Sequence, residues 1–577
     1  MELQGVPILH QGRSCGSTLP RRQCRFHGSG VSSHGSHGAF GPRCAVSVLP
    51  IIILHRAWRR SRLGRRSQGY DLEERLAAEP WRQGFEEAEE TPPVSIEGQG
   101  LPKDLIGTVY RNSPGRLRIG ASKYEHWFDG DGFVSALSID GERQTAGFAS
   151  RFVRTPRYVK QEQADAFARA QEGLGMASVG AWTPADNGEF FSNVFRLATN
   201  PANTSVLWWA DRLLALCEGG LPYRIDPGTL ETMGEDLFSN QSISESGVSF
   251  FSAHPKRDPK TGELFNIGLT ISLPQAVEVY CCSARGELLQ RCKVELKEFT
   301  FIHDFAITEQ YIVLIMPPWV CPTDGLLQSL WEGGIARKFQ WQEELGTRCV
   351  ILKRSDLTTV FDETLKPSES LYHTVNAFED GSTVKLQIAA HIGARESVEQ
   401  NFRDMYDSTW TDETRCSLKE VVLDISSGKI SICSIGPSDA ASFELPVIHP
   451  EFVGREHRQV FTNSAYPSTA GFANTVERLD LEKNIVDRAI FEEGQFAGEP
   501  MIIPKHGVAS PSELAAYVCT CVYDSNTNKS FFAFLDAENL AAGPVAKVHL
   551  PTHLPYSFHG DWVQGKTDVL HAAQNES

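Results

Sequence analysis

Four histidines with similar local surroundings are the candidate chemical centre of this chain. They are His254 in FSAHP, His303 in FIHDF, His373 in LYHTVNA and His559 in LPYSFHGD. Each has small or apolar neighbours and adjoins a predicted strand or turn, as an inward-pointing metal ligand would. Residues 101–577 contain twelve histidines, so spacing alone selects no set of four. We therefore treat one shared metal ion as a hypothesis, against the alternative that each is an ordinary core or surface histidine.

Short strands and tight turns are predicted to position these histidines. The apolar run YIVLIM (residues 311–316) follows FIHDFAIT and ends at two prolines, which places His303 at the inner end of a predicted strand. Strand pairs flank the turn residues 426–428 and 525–528, as expected of hairpins.

Strand-like segments recur about every ten residues through most of the chain, which predicts an all-β fold. Sandwiches and barrels seldom need so long a chain, whereas seven propeller blades of roughly 68 residues would use it. Because the sequence shows no clean internal repeat, the propeller prediction depends on length and strand density.

The histidine segments belong to a longer series of motifs that resembles the carotenoid cleavage oxygenase family. This family also includes the retinal-pigment isomerohydrolase and the stilbene-cleaving oxygenases. The resemblance covers residues 101–563, and its motifs are found at residues 107–112, 126–132, 151–155, 203–204, 214–223, 253–256, 261–263, 303–305, 373–377 and 555–560. Four histidine segments in this order are a far more specific signal than any single motif.

The resemblance implies a seven-bladed β-propeller with a non-haem iron on its axis, and with helices and loops capping the iron-bearing face. It also implies that His254, His303, His373 and His559 bind Fe(II). Imidazole suits iron, and four neutral ligands leave the ion its full charge. Two coordination positions would remain for O₂ and substrate.

Three glutamates match those that the family uses to hold the second nitrogen of a ligating imidazole. They are Glu218 in CEGG, Glu444 in FELP and Glu499 in GEP. For any one of them the alternative is a solvated surface residue. Two segments depart from the family pattern. Residues 510–515 (SPSELA) replace an acidic turn, and Ser557 stands where glycine is common. We expect both departures to affect the substrate tunnel rather than the ligands.

The implied reaction is O₂-dependent cleavage of a conjugated carbon–carbon double bond in a carotenoid or apocarotenoid, giving two carbonyl products. Two alternatives use the same scaffold: ester isomerohydrolysis, or cleavage of a phenolic stilbene. A third is a propeller that has lost catalysis and only binds an apolar ligand or a protein. The intact histidine and glutamate sets argue against this last alternative.

Charge divides the chain into a basic tail and an acidic body. Residues 1–68 contain eleven arginines and one acidic residue, Glu2, so the rest carries about −27 against −17 for the whole chain. An Arg-rich, Ser-rich and acid-poor start is typical of an organelle transit peptide, and a disordered basic tail is the alternative. We predict a transit peptide or tail over 1–70, a helical lead-in over 71–100 and the catalytic propeller over 101–577. A plastid location is favoured over the cytoplasm, and the acidic body argues against a nucleic-acid partner.

An apolar insertion at residues 317–334 follows the second histidine segment. It carries two tryptophans and several leucines, so it could enter a membrane surface or line a ligand entrance. The family resemblance implies a membrane-facing tunnel mouth at this position. The alternative is a loop packed over the core. A short helix is predicted at residues 162–172, and the thirteen cysteines are predicted to be reduced thiols.

Overall fold

The computed structural model describes residues 80–576 except 88, 99, 120–121, 125, 171–198, 237–249, 271–273, 333, 392–415, 441–442, 468–471 and 508–511. All of them belong to one compact unit that spans residues 68–577. The predicted transit peptide therefore lies outside the described residues, as does part of the unusual segment 510–515.

Antiparallel β-sheets form the body of the described chain, which confirms the all-β prediction. The first sheet contains, in spatial order, Thr91–Glu97, Thr145–Phe152, Asp131–Asp140, Ile106–Arg116 and Gly560–Gln564. The second contains Thr232–Glu235, Tyr223–Ile225, Arg212–Leu216 and Ser205–Trp209. The third contains Lys256–Arg257, Leu264–Thr270, Ala276–Cys282 and Leu288–Glu295. The fourth contains Phe305–Ile307, Tyr311–Met316, Thr347–Lys353 and Thr359–Leu365.

Three further large sheets follow along the chain. The fifth contains Leu371–Asp380, Thr383–His391, Cys416–Asp424 and Lys429–Ser434. The sixth contains Phe443–Val447, Gln459–Ser464, Thr475–Asp480 and Ile485–Ile490. In the seventh, Gln495–Ala497 and Met501–Pro504 both pair with Ala516–Asp524, which is followed by Lys529–Asp536 and Pro544–His549. Two small sheets complete the described set: Phe299–Thr300, Trp319–Cys321 and Gln340–Trp341 form one, and Arg118–Ile119 and Ser122–Lys123 form the other.

The hydrophobic core lies between successive large sheets. One cluster of buried residues joins each sheet to the next along the chain, and another joins the seventh sheet back to the first. Strands covered on both faces need apolar residues at consecutive positions rather than alternating ones. Lys529–Asp536 (KSFFAFLD) shows this, since its six central residues are all buried.

The two predicted hairpins are confirmed, with Asp424 opposite Lys429 and Asp524 opposite Lys529. The prediction for the apolar run after His303 was wrong in detail. His303 lies two residues before Phe305–Ile307, at the end of a strand as predicted, but this short strand pairs antiparallel with Tyr311–Met316 and does not continue into it. The apolar run that looked continuous in the sequence is thus two strands of one hairpin.

The region before residue 100 differs from the predicted helical lead-in. Its described part begins with a 3₁₀ helix, Pro80–Phe85, and continues into a strand, Thr91–Glu97. That strand contains Pro92 and Pro93, which lack the N–H group that a sheet ladder uses. They are accommodated because the strand lies at the edge of the first sheet and its register shifts between Thr91 and Val94.

Three α-helices are described: Pro156–Ala170, Thr323–Glu332 and Asp568–Glu576. The first overlaps the helix predicted at 162–172 but begins earlier. The second lies in the apolar insertion. The other described 3₁₀ helices are Trp127–Asp129, Ile335–Lys338, Glu343–Leu345, Pro450–Phe452 and Leu540–Ala542. Among the described residues, no helix is long and apolar enough to cross a membrane, and the ten described cysteines are free thiols.

Candidate metal centre

The four candidate histidines meet at one point. Each lies at or just before the start of the edge strand of a different large sheet: His559 in the first, His254 in the third, His303 in the fourth and His373 in the fifth. One ring nitrogen from each lies within 4.8 Å of the corresponding nitrogen of the others. Residues separated by up to 305 positions in the sequence thus form one cluster, as the motif order implied.

The geometry of the cluster suits a single small ion. The Nε2 atoms of His254 and His303 are 2.8 Å apart. Two imidazole nitrogens bound at right angles to a transition metal, each at about 2.1 Å, would lie about 3.0 Å apart. The His254 ring centroid lies 4.5 Å from that of His559 and 5.2 Å from that of His373. The rings therefore surround a common centre on which all four can converge.

Three glutamates hold three of the four imidazoles by the nitrogen that faces away from this centre. The Nδ1 atoms of His303, His373 and His559 lie 2.6, 2.6 and 2.7 Å from carboxylate oxygens of Glu218, Glu444 and Glu499, respectively. These glutamates come from the second, sixth and seventh sheets. Each of the seven large sheets therefore places one residue of this constellation, four as histidines and three as glutamates.

The glutamates remain ionised despite their surroundings. Burial is the largest single influence and raises the pKa of each, but the adjacent histidine together with other charges and hydrogen bonds outweighs it. The pKa of Glu218 is lowered to about 2, that of Glu444 lies well below its usual value, and that of Glu499 is also lowered. Burial and the other three imidazoles lower the pKa of His254 well below its usual value. At neutral pH the centre thus combines anionic holders with a neutral His254.

The residues present fit a divalent transition metal. A carboxylate accepts hydrogen bonds only, so each held imidazole carries its proton on Nδ1 and keeps the Nε2 lone pair for a ligand. Nε2 of His373 is buried and, among the described residues, has no hydrogen-bond partner. Four imidazole donors suit iron, cobalt, copper or zinc.

Charge around the histidines also fits a divalent ion. A fourth carboxylate, Asp304, adjoins His303 and pairs with the Lys256 ammonium at 2.7 Å. Arg111 Nη1 lies 2.5 Å from Oε2 of Glu499. Among the described residues around the histidines, the carboxylates are Glu218, Glu444, Glu499 and Asp304, and the cations are Lys256 and Arg111. Their charges sum to −2. A 2+ ion would neutralise the assembly.

Sequence reasoning gave no role to Arg111, Lys256 or Asp304, although all three lie in the matched motifs. Arg111 and Glu499 are 388 positions apart, so no local pattern could pair them. An arginine within a strand of apolar neighbours was the available signal. At 1% exposure, a buried guanidinium must have an anionic partner.

A pocket that is partly open to solvent adjoins the cluster at His303. Its lining is otherwise mostly apolar: Phe301, Ile315, Pro317, Trp319, Ala336, Phe339, Leu371 and Tyr372, with Asp304 as its carboxylate. Asp304 is occupied by its lysine. The pocket therefore offers hydrocarbon and aromatic surface leading to the histidine cluster.

Comparisons with known proteins agree with this geometry. The family model described as retinal pigment epithelial membrane protein (RPE65) matches residues 81–564. The apocarotenoid-15,15'-oxygenase of Synechocystis is 29% identical over 491 residues, covering 81% of this chain and 92% of that protein. The chloroplastic 9-cis-epoxycarotenoid dioxygenase NCED2 of Oryza sativa is 29% identical and covers 83% of each chain.

Two further relatives extend the range of chemistry and structure. The isoeugenol monooxygenase of Pseudomonas nitroreducens is 27% identical, covering 82% of this chain and 94% of that protein. The crystal structure of cobalt-substituted Synechocystis ACO superposes with a TM-score of 0.75 at 28% identity, covering 84% of this chain and 98% of that one. The likeness therefore extends over almost the whole of the described chain.

Proposed function

The chain belongs to the RPE65/carotenoid cleavage oxygenase family, and from that premise we propose that it is a non-haem Fe(II) dioxygenase of carotenoids or apocarotenoids. It cleaves one conjugated double bond with O₂ and releases two carbonyl products. The observation that carries the proposal is the convergence of four imidazoles, three of them held by carboxylates, beside an apolar pocket.

His254, His303, His373 and His559 hold the iron in this proposal, and Glu218, Glu444 and Glu499 orient three of them. Bound Fe(II) would supply the electron-transfer chemistry that lets O₂ react with a closed-shell alkene. The residues fix which bond reacts, because the pocket wall determines where the polyene stops relative to His303. In the overall reaction the C=C and O=O bonds are broken and two C=O bonds are formed, so no other reductant or proton donor is needed.

The pocket lining favours a hydrocarbon substrate over a phenol. Its aromatic and aliphatic side chains exclude water from the polyene and offer dispersion contacts along its length. The isoeugenol-cleaving relative supports a second candidate, cleavage of a phenolic alkene or stilbene. A buried phenol hydroxyl needs a hydrogen-bond partner, and Asp304 is already occupied by Lys256.

We also propose that the seven large sheets are the blades of a seven-bladed propeller over residues 101–577. The cyclic order of the inter-sheet clusters supports this, as does the C-terminal strand Gly560–Gln564, which pairs with the early strand Ile106–Arg116 in the first sheet. Strand Thr91–Glu97 pairs with Thr145–Phe152 in the first sheet, so in this proposal part of the lead-in 71–100 contributes to the first blade.

Location is proposed from the tail and the insertion. The composition of residues 1–70 supports a plastid transit peptide, and several plant relatives are named chloroplastic. Membrane contact through 317–334 is supported by the helix Thr323–Glu332, on which Leu327 is 51% exposed. Substrate from a bilayer could then reach the adjoining pocket.

Product analysis tests the function. Protein lacking residues 1–70, loaded anaerobically with Fe(II), is given β-carotene, a shorter apocarotenal, isoeugenol and resveratrol under O₂. The proposal expects aldehydes from a carotenoid substrate and none from a His303→Ala variant. Products from isoeugenol or resveratrol alone would favour the second candidate, cleavage of a phenolic alkene or stilbene. An iron-loaded protein that isomerises a retinyl ester instead would overturn the dioxygenase proposal.

A further inference from the structure

A buried histidine outside the proposed ligand set, His391, lies against one of the three holding glutamates. Its Nε2 is 3.0 Å from Oε1 of Glu444, and its side chain is only 5% exposed. The other carboxylate oxygen, Oε2, is the one that contacts His373 Nδ1 at 2.6 Å. The three side chains thus form a continuous series from the interior of the fifth sheet to the histidine cluster.

The fold fixes His391 in this place. His391 is the last residue of Thr383–His391 and lies opposite Cys416, the first residue of the neighbouring strand. Its backbone N–H donates to Ser370 O at 2.8 Å, just before the strand that carries His373. The histidine cannot move without disturbing that strand, so its side chain has a defined position relative to Glu444.

Glu444 has neutral donors beside its two histidines. Oε2 also accepts from Leu445 N at 2.9 Å, and Cys416 Sγ lies 3.7 Å from Oε1. By contrast, the outer oxygen of Glu499 is held by the Arg111 guanidinium. Leu445 has a φ of +53°, a left-handed conformation that a leucine adopts only at a cost. The residue next to Glu444 therefore has a strained backbone conformation, and the side chains around the Glu444 carboxylate must keep it in position.

We propose that His391 is a positioning residue for the metal centre. In this structure its Nε2 lies 3.0 Å from Oε1 of Glu444 and, among the described residues, makes no hydrogen bond. A small rotation of the ring lets Nε2–H donate to Oε1, which fixes the carboxylate that fixes His373. Because a carboxylate only accepts, this contact requires the proton of a neutral His391 to lie on Nε2. The inference rests on the proposed metal site and extends the support of His373 outward by one residue.

A matched pair of variants tests the contact. In His391→Gln the side-chain amide reaches the place of Nε2 and still donates to Glu444. In His391→Asn the shorter side-chain amide reaches only the place of Nδ1 and cannot donate to Glu444. Both substitutions are polar and smaller than histidine, so folding affects them alike. His457→Asn is the control, because His457 is another buried histidine, at 4% exposure, that contacts Asn376 rather than a holding glutamate.

The measurements are the anaerobic Fe(II) dissociation constant and the visible absorption spectrum of the Co(II)-substituted protein. We expect His391→Asn to weaken Fe(II) binding about tenfold, the low end for losing an outer partner of a ligand, and to shift the Co(II) bands. His391→Gln and His457→Asn should both resemble the wild type.

Equal behaviour of the Asn and Gln variants at position 391 would overturn the inference, whether both match the wild type or both lose metal. Failure of the proposed metal site looks different, because the folded wild-type protein would then bind neither metal. Failure of the dioxygenase reaction alone would leave the metal affinities and the Co(II) spectra of wild type and variants unchanged. If His391→Asn does not fold, wild-type affinity and Co(II) bands in His391→Gln support the inference, and a weakened affinity or shifted bands there overturn it.

Discussion

The ammonium of Lys256 lies 2.7 Å from Oδ1 of Asp304, and this pair joins the segments that carry two of the proposed ligands. Lys256 follows His254 by two positions, and Asp304 directly follows His303. The second carboxylate oxygen of Asp304 accepts from both the backbone N–H and the hydroxyl of Thr374, at 2.8 and 2.7 Å. Thr374 directly follows His373. One buried carboxylate therefore ties together the third, fourth and fifth sheets immediately behind three proposed ligands.

Removing this carboxylate should loosen the three sheets together. We predict that Asp304→Ala lowers the free energy of unfolding by about 3 kcal/mol, since it removes the acceptor of a mostly buried ammonium and of three other donors, Thr374 N–H and O–H and Phe305 N–H. Urea denaturation measures this change. The exposed pair of Lys260 and Glu309 provides the control, and Glu309→Ala should change stability by less than about 0.5 kcal/mol. Similar losses in the two variants would show that Asp304 has no special structural role.

Replacing a holding glutamate by glutamine should lower folding stability for Glu499 but mainly metal affinity for Glu218. Glu499 pairs with Arg111, which is 1% exposed, so Glu499→Gln leaves a buried cation without a counter-charge. We predict a loss of about 3 kcal/mol in unfolding free energy for this variant. Glu218→Gln should instead weaken Fe(II) binding about ten- to a hundredfold with little change in melting temperature. Thermal melts and metal titrations separate the two effects. A reversed ranking of stability would contradict the assignment of Arg111 to Glu499.

The described N-terminal segment should be required for the site. Trp81 is 3% exposed and stacks on Phe472 at 5.5 Å, and the hydroxyl of Tyr556 donates to Trp81 O at 3.0 Å. Tyr556 lies three residues before His559. We predict that protein beginning at residue 80 has the wild-type melting temperature and iron content. Protein beginning at residue 91 should melt at a lower temperature and bind no iron.

A point substitution makes the same test without truncation. Trp81→Ala should cost about 3–5 kcal/mol by opening a cavity beneath Tyr556. If the protein beginning at residue 91 or the Trp81→Ala variant were as stable as the wild type, the segment before residue 91 would contribute nothing to the stability of the site.

Filling the pocket should affect substrate use and leave the metal in place. Ala336 lines the pocket but is not part of the histidine cluster. Ala336→Trp is predicted to lower kcat/KM for a long polyene by about ten- to a hundredfold, because a bulky ring must be displaced before the substrate fits. Iron content should match the wild type. Leu327→Trp, at an exposed position, is the control for an added tryptophan. Unchanged turnover in Ala336→Trp would place the substrate elsewhere.

Local patterns predicted the strands well because turn residues and apolar runs are properties of a few neighbouring residues. The hairpins around 426–428 and 525–528 are examples. Position within a sheet was not predictable in this way. The lead-in 71–100 was predicted to be helical, yet Thr91–Glu97 is a strand whose two prolines are accommodated by its place at a sheet edge.

The motifs predicted which histidines meet and which three glutamates contact them, whereas the contacts further from the cluster were not predicted. Arg111, Thr374 and His391 act through partners between 53 and 388 positions away, and nothing in their own segments marks those partners. The structure supplies the distances that the sequence lacks. The role of the four histidines as iron ligands remains a prediction.

An anaerobic Fe(II) titration of the wild-type protein and of His303→Ala tests the central claim most directly. The account predicts one tightly bound Fe(II) per wild-type chain and a loss of at least about a hundredfold in affinity in the variant, with both proteins folded by circular dichroism. Folded wild-type protein that binds no iron, or a His303→Ala variant that binds it equally well, would contradict the assignment of the four-histidine site.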